Sequence, residues 1–285
     1  MKTVLITGAA GYIGRHVVKA FLNNDYRVLA NDLNNKGIDE RAEIIDYPIF
    51  NGDKDIYERM GMPDVLVHLA WRDGFIHNSK AHMEDLSKHV IFLNNMMEGG
   101  LPGLSVMGSM HEVGYWVGAI DEYTPCNPLS MYGIAKNALR QELLLETQEK
   151  DIAVHWLRAY YILGDEVRGS SVFSKIVQAV EDGKKTFPFT SGKNKYDFIH
   201  IDELADQIVA ASTQNKENGI INVCSGKAVS LGEQMEKFIK EHDYPISLEY
   251  GKYPDRPYDS PEVWGDNSKI SRIMGVTNEK GIYRK

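Results

Sequence analysis

Tyr132 and Lys136 have the types and the spacing to move a proton, lying four residues apart in the run PLSMYGIAK. On a helix that spacing places both side chains on one face. Asn127 and Pro128 would open such a helix, the first as N-cap and the second in its first turn. A free phenol has a pKa of about 10 and is a poor acid–base group at neutral pH. A neighbouring ammonium stabilises the phenolate and lowers that value, so the pair can exchange a proton with an alcohol. The same spacing also arises as a plain surface pair, so its meaning depends on what lies around it.

What lies around it begins with Gly8, Gly11 and Gly14 in TGAAGYIG, directly after the apolar run at 2–6 and at the start of a helical pattern from Tyr12 to Leu22. A tight turn, a close approach to a pyrophosphate and a helix–strand contact each exclude a Cβ. The helix N-terminus then offers unpaired N–H groups and a positive dipole end to phosphate, with Tyr12 and Ile13 carried in the same turn. Asp32, at the end of the next strand, can accept hydrogen bonds from ribose hydroxyls, which favours NAD. It can also serve as a loop-capping acid, and Lys36 nearby leaves NADP open. Asp53 in NGDKD is either a partner for the adenine amino group or a helix N-cap. With a nicotinamide bound, hydride transfer joins the proton transfer, and the positive ring further favours the phenolate.

The elements that must position these groups alternate. Strand patterns at 2–6, 27–31, 64–69, 103–107, 152–157 and 219–223 are interleaved with helical patterns at 12–22, 80–98, 129–149, 172–182, 202–213 and 230–242. The alternation predicts an α/β fold, a doubly wound parallel sheet covered on both faces. Residues 1–164 form the dinucleotide-binding part, 196–225 return to it, and 165–285 are mainly a smaller cap. The Gly-, Pro-, Tyr- and Asp-rich stretches 183–198 and 245–266 read as loops.

The 285 residues are 43% hydrophobic and 25% charged, with a net charge of −8. That balance argues against nucleic acid or an anionic membrane as partner. No apolar run is long enough to cross a bilayer. Two cysteines, Cys126 and Cys224, give neither a disulfide framework nor a zinc pattern, which fits a reducing cytoplasm. His82 and His89 lack metal-ligand spacing and read as packing or surface residues.

TGAAGYIG, HLA (68–70, with Leu69 and Ala70 on the cofactor side), PLSMYGIAK, LRAYYILG (157–164), YDFIHIDELAD (196–206), INVCSG (221–226) and WGDNSK (264–269) occur in order. In this the chain resembles the extended short-chain dehydrogenase/reductases, in the epimerase/dehydratase group that acts on nucleotide-diphosphate sugars. The resemblance implies a Rossmann-type sheet with a substrate-binding cap, NAD as cofactor, and a homodimer formed through the helices near 80–98 and 129–149. It also implies substrate contacts from Arg256 and Asp259 in PDRPYDSP, the arginine as a planar clamp for the diphosphate. Lys193 and Lys195 read as solvated.

Two departures from the family pattern stand out. A family Ser or Thr completes the catalytic triad where this chain has Met110, in MGSMHEVGY. Ser109, one residue earlier, would replace it through a small loop shift, with His111 as the substitute; Glu112 remains beside them on the substrate side. Family dehydratases carry two acids here and this chain has one, which disfavours dehydration. Tyr161 stands where many relatives have a substrate-contacting asparagine. The reading is an NAD(P)-dependent 4-ketoreductase of a nucleotide sugar. A 4-epimerase retaining its NAD, a non-catalytic dinucleotide sensor and a reductase of small ketones are the alternatives.

Overall fold

The computed structural model describes residues 1–164, 171–255 and 259–279. In chain order the elements are β1 (Thr3–Thr7), α1 (Tyr12–Asn23), β2 (Arg27–Asn31), β3 (Glu43–Ile44), α2 (Ile56–Arg59), β4 (Val65–His68), α3 (Ala81–Glu98) and β5 (Gly103–Ser109). A single 3₁₀ turn (Met110–Glu112), β6 (Gly118–Ile120), α4 (Met131–Glu146), β7 (Ala153–Ala159) and β8 (Tyr161–Leu163) follow. The remainder is α5 (Val172–Glu181), β9 (Thr186–Pro188), β10 (Lys195–His200), α6 (Ile201–Ser212), β11 (Gly219–Val223), β12 (Ala228–Ser230), α7 (Leu231–Glu241), β13 (Ser247–Glu249), β14 (Glu262–Gly265) and α8 (Ser268–Glu279).

The main sheet has seven strands in the order β3-β2-β1-β4-β5-β7-β11, with every pairing parallel. Alternate residues of each strand feed opposite cores. Val4 and Ile6 join Val17, Phe21, Leu204, Ile208 and Ile273 on one face, while Leu5, Leu66 and Trp156 join Phe92, Met96 and Leu139 on the other. Burial on both faces explains why these strands read as continuous apolar runs. Met96 and Met97 pack into this second core.

A smaller sheet, β12-β10-β14-β6 with β8 added on β10, has its own apolar cluster with α5 and α7. It takes β6 and β8 from within the first 164 residues, and α8 packs back on α6 and β11 of the main sheet. The stretches 183–198 and 245–266 are therefore not plain loops: β9, β10, β13 and β14 lie in them. These short strands are specified by their partners, β10 pairing β14 in parallel and β12 antiparallel. Buried Asp197 ties that sheet together by accepting from the Ser225 amide and hydroxyl and from the amides of Gly226 and Gly265.

Candidate active site

The strand order reverses between β1 and β4, which opens a crevice at the carboxyl ends of the two strands. Gly8 stands there at φ +71°, and an added Cβ would lie 2.6 Å from the Ala70 amide nitrogen. A Cβ on Gly14 would lie 2.0 Å from the Gly8 carbonyl oxygen, so α1 meets the turn backbone to backbone. Gly11 is exposed, and the nearest atom its Cβ would meet is the Gly8 oxygen at 3.1 Å. The corner is thus closed on the protein side and open where a pyrophosphate would approach the N-terminus of α1. The Asp32 carboxylate accepts from the Ala10 and Asn34 amides and remains partly exposed at the rim. Tyr12 donates to the Gly164 carbonyl, linking α1 to the end of β8, and Ile13 packs against the core beneath. Leu69 and Ala70 line the opposite wall, Leu69 holding the Thr7 carbonyl by its amide. These features fit a dinucleotide. Asp53 is engaged locally, its carboxylate accepting from the Tyr47 hydroxyl and the Asp55 amide ahead of α2.

The helix bearing Tyr132 and Lys136 starts at Met131, three residues later than the Asn127–Pro128 signal predicts. Asn127 is instead held as strand-like backbone, its amide bonded to the Val113 carbonyl. Ser130 is the N-cap, accepting from the Gly133 amide at 3.1 Å. The neighbouring loop satisfies two more free amides: Asn78 Oδ1 accepts from Met131, and the His77 carbonyl from Tyr132.

Tyr132 and Lys136 share one face as expected, but the phenol is not acidified. Burial pushes its pKa up to about 12, Glu112 adds to the rise, and a hydrogen bond with Ser109 opposes it. Desolvation of the phenolate is the largest cause, and the Lys136 Nζ lies 6.0 Å from the ring centre. Lys136 is itself buried, which brings its pKa down to about 7 against the favourable field of Glu112. Its Nζ donates to the Met107 carbonyl at 2.7 Å and sits 3.7 Å over the Trp71 ring.

The hydroxyl near enough to Tyr132 to lower its pKa is that of Ser109, while Met110 packs into the apolar cluster of the smaller sheet. Ser109 caps the 3₁₀ turn, accepting from the His111 amide, and its own amide donates to Glu112 Oε1 at 2.7 Å. Glu112, expected on the substrate side, lies in the interior. Its side chain is wholly buried, bonded to Trp156 Nε1 and facing the Arg140 and Arg158 guanidiniums at 3.2 and 3.5 Å. It is unexposed and tied to Ser109 through that residue's amide.

Apart from His111, sequence reasoning missed the wall around the phenol. His77 stacks on the Tyr132 ring at 5.3 Å and 11°, His82 and His111 meet it edge-on at 5.3 and 6.2 Å, and Trp71 does so at 6.1 Å. Burial and the neighbouring His77 bring the His111 imidazole down to about 4, so it is neutral at physiological pH. Residues 71, 77, 82 and 111 have no periodic spacing, and only the fold brings them together. Tyr161 lies against Tyr196 and Phe198 in the smaller sheet. Asp259 is partly exposed beside Ser260, whose hydroxyl accepts from the Trp116 amide. Arg256 lies outside the described residues. No helix among the described residues is long and apolar enough to cross a membrane.

Residues 4–224 match the model of the NAD dependent epimerase/dehydratase family. The chain is 42% identical over 269 residues to a dTDP-6-deoxy-L-talose 4-dehydrogenase (NAD(+)) of Aggregatibacter actinomycetemcomitans, covering 92% of this chain and 98% of the relative. It is 26% identical to a putative UDP-glucose 4-epimerase of Methanocaldococcus jannaschii, over 81% of this chain and 79% of that one. Its fold is similar to that of a UDP-N-acetylglucosamine 4-epimerase from Methanobrevibacter ruminantium M1, with a TM-score of 0.83 at 20% identity, covering 99% and 96% of the two chains. The chain belongs to the NAD dependent epimerase/dehydratase family and is an NAD-dependent enzyme of the nucleotide-sugar-modifying kind.

Proposed function

We propose that the protein interconverts the 4-hydroxyl and 4-keto forms of a dTDP-linked 6-deoxyhexose, acting as a 4-ketoreductase in one direction and a 4-dehydrogenase in the other. The observation that carries this reading is the Ser109–Tyr132–Lys136 grouping beside a glycine corner shaped for a dinucleotide. The relative at 42% identity supports the choice of carbon and sugar class. Bound NAD supplies the hydride acceptor, or as NADH the donor. In oxidation the Tyr132 oxygen takes the proton of the sugar hydroxyl, and in reduction it returns one to the ketone. Ser109 Oγ hydrogen-bonds the reacting oxygen, and the Lys136 ammonium offsets the negative charge that the phenol carries when it acts as base. The smaller sheet with α5 and α7 is the substrate cap, with Tyr161 and Asp259 on its sugar-nucleotide side. Wholly buried Glu112 argues against water elimination.

A second reading is a 4-epimerase that keeps its NAD, favoured by the similarity to 4-epimerases and by Asp32 at the ribose position. Incubation with a dTDP-4-keto-6-deoxyhexose and NADH separates the two. Stoichiometric loss of NADH is expected; interconversion of 4-epimers without net cofactor change would replace the oxidoreductase reading. Tyr132→Phe should lower kcat by roughly 10²–10⁴-fold, and unchanged turnover would sink both.

We also propose a homodimer seated on α3 and α4, which present Met83, Ile91, Ile134 and Leu145 outward. Sedimentation should show a species of twice the chain mass.

A further inference from the structure

Lys136 is buried, and it has unusually little to keep it charged. Among the described residues no carboxylate lies within 4.0 Å of its Nζ, which makes one hydrogen bond, to the Met107 carbonyl. Burial and the Lys136 charge hold His68 from β4 and His89 from α3 well below the usual imidazole range, so both face it as neutral rings, and Tyr132 lies on its own helix. Glu112, from the 3₁₀ turn, favours the ammonium from farther off.

Besides that carbonyl, the Nζ sits over the π face of Trp71, 3.7 Å from the ring centre. An aromatic face carries negative quadrupole density, and its attraction for a cation is strongest where water is excluded. The indole is not free to turn. Its Nε1–H donates to His82 Nδ1 at 3.0 Å, and His82 Nε2 in turn contacts the Ile76 carbonyl at 3.0 Å. Its ring stacks on His89 at 4.5 Å and 17°. His89 is anchored through His68 to the hydroxyl of Thr7, at the end of β1. The chain that fixes the indole thus runs back to the glycine corner.

We propose that Trp71 is a positioning residue, whose fixed indole face holds the Lys136 side chain in place and favours its ammonium form. The inference rests on the proton role given above to Tyr132 and Lys136. A packing residue of the same volume would orient the lysine stem but would not favour its charge, and that difference can be measured.

The test is a lysine titration of the full chain, following ¹³Cε resonances by NMR and assigning Lys136 by its loss in Lys136→Arg. A midpoint near 7 is expected for the parent, given the opposition of burial and Glu112. Trp71→Leu should lower it by about one pH unit, and Trp71→Phe by less. Biosynthetic replacement of tryptophan by its mono-, di- and trifluoro analogues keeps the shape while withdrawing ring density. It should lower the midpoint stepwise. An unchanged midpoint across the fluorinated series overturns the proposal, and that series decides the matter if Trp71→Leu does not fold.

In the kcat–pH profile the sign is fixed. The ammonium is the active form, so activity is lost as pH rises through the lysine midpoint, and a lower midpoint moves the alkaline limb down by the same amount. A shifted titration with full turnover by Tyr132→Phe would leave the Trp71 assignment standing and remove the proton role. An unshifted titration with inactive Tyr132→Phe would do the reverse.

Discussion

The glycine corner and the pocket around Tyr132 lie side by side and are built on opposite principles. The corner is shaped by what is missing: at Gly8 and Gly14 a single added carbon would meet backbone atoms at 2.6 and 2.0 Å. The pocket is shaped by large side chains from separate segments, Trp71, His77, His82 and His111, which enclose one phenol. The corner therefore tolerates no change of volume, yet contains almost nothing that titrates. The pocket has more freedom of shape and depends on charge. Its base is the buried cluster of Glu112, Arg140 and Arg158, in which Glu112 Oε2 and the Arg158 Nε and Nη2 atoms lack a hydrogen-bond partner. An ionic cluster held at 3.2 and 3.5 Å without full pairing has more to lose from a deletion than from being kept.

The largest effect is accordingly expected beneath the pocket. Glu112→Ala leaves the fully buried Arg158 without its carboxylate, removes the acceptor of the Ser109 amide and Trp156 Nε1, and should cost about 3–5 kcal/mol in urea unfolding. Glu112→Gln keeps the shape and loses the charge, so it should fall in between. If both variants matched the parent in stability, the contrast drawn between the regions would be wrong.

The corner should break differently. In Gly14→Ala the added methyl group meets backbone, and the adjustment should cost about 1–3 kcal/mol, as for other overpacked sites. The damage falls mainly on the N-terminus of α1, so NAD affinity read by calorimetry should drop at least tenfold, while the Lys136 titration stays where it was. A variant with parental NAD affinity would show that the close approach of α1 to the Gly8 carbonyl is not what shapes the site.

The same contrast explains what the sequence disclosed. The corner was legible because its constraints are local, with three glycines, a strand before them and a helix after them within a dozen residues. Six of the seven parallel strands were legible for a related reason, since burial on both faces leaves apolar runs such as VLI and VLV, whereas the exposed two-residue β3 left none. By contrast, β10 and β14 mix Tyr, Asp and Trp with apolar residues and exist because each pairs with a distant segment. The helix of Tyr132 began late because Asn127 gave its amide to Val113, a tertiary bond that outweighs a local capping preference. Glu112 read as substrate-facing because it adjoins Ser109, whereas the 3₁₀ turn rotates it inward onto Trp156. Of the wall only His111 had a signal, its place beside Ser109, since residues 71, 77, 82 and 111 share no period.

The smallest effect, and the sharpest probe of the pocket, is at the hydroxyl. Ser109 and His111 are the two groups that can stand in for the hydroxyl absent at Met110, and their surroundings differ. The Ser109 hydroxyl is near enough to the Tyr132 phenol to lower its pKa, whereas His111 meets that ring edge-on with its centroid 6.2 Å away. Ser109→Ala removes one neutral hydrogen bond, worth about 1 kcal/mol, and kcat should fall roughly five- to tenfold with little change in KM. It also removes the oxygen that caps the 3₁₀ turn, so up to about 1 kcal/mol of stability goes with it. Ser109→Thr restores the hydroxyl and should recover both, which separates the chemical loss from the structural one. His111→Phe keeps an aromatic edge against Tyr132 and should leave kcat within a few-fold of the parent. If His111→Phe instead caused the larger drop and Ser109→Ala were silent, the imidazole would be the third member of the proton-transfer group. The pocket would then depend on a titrating side chain at the one position where a fixed hydroxyl is expected.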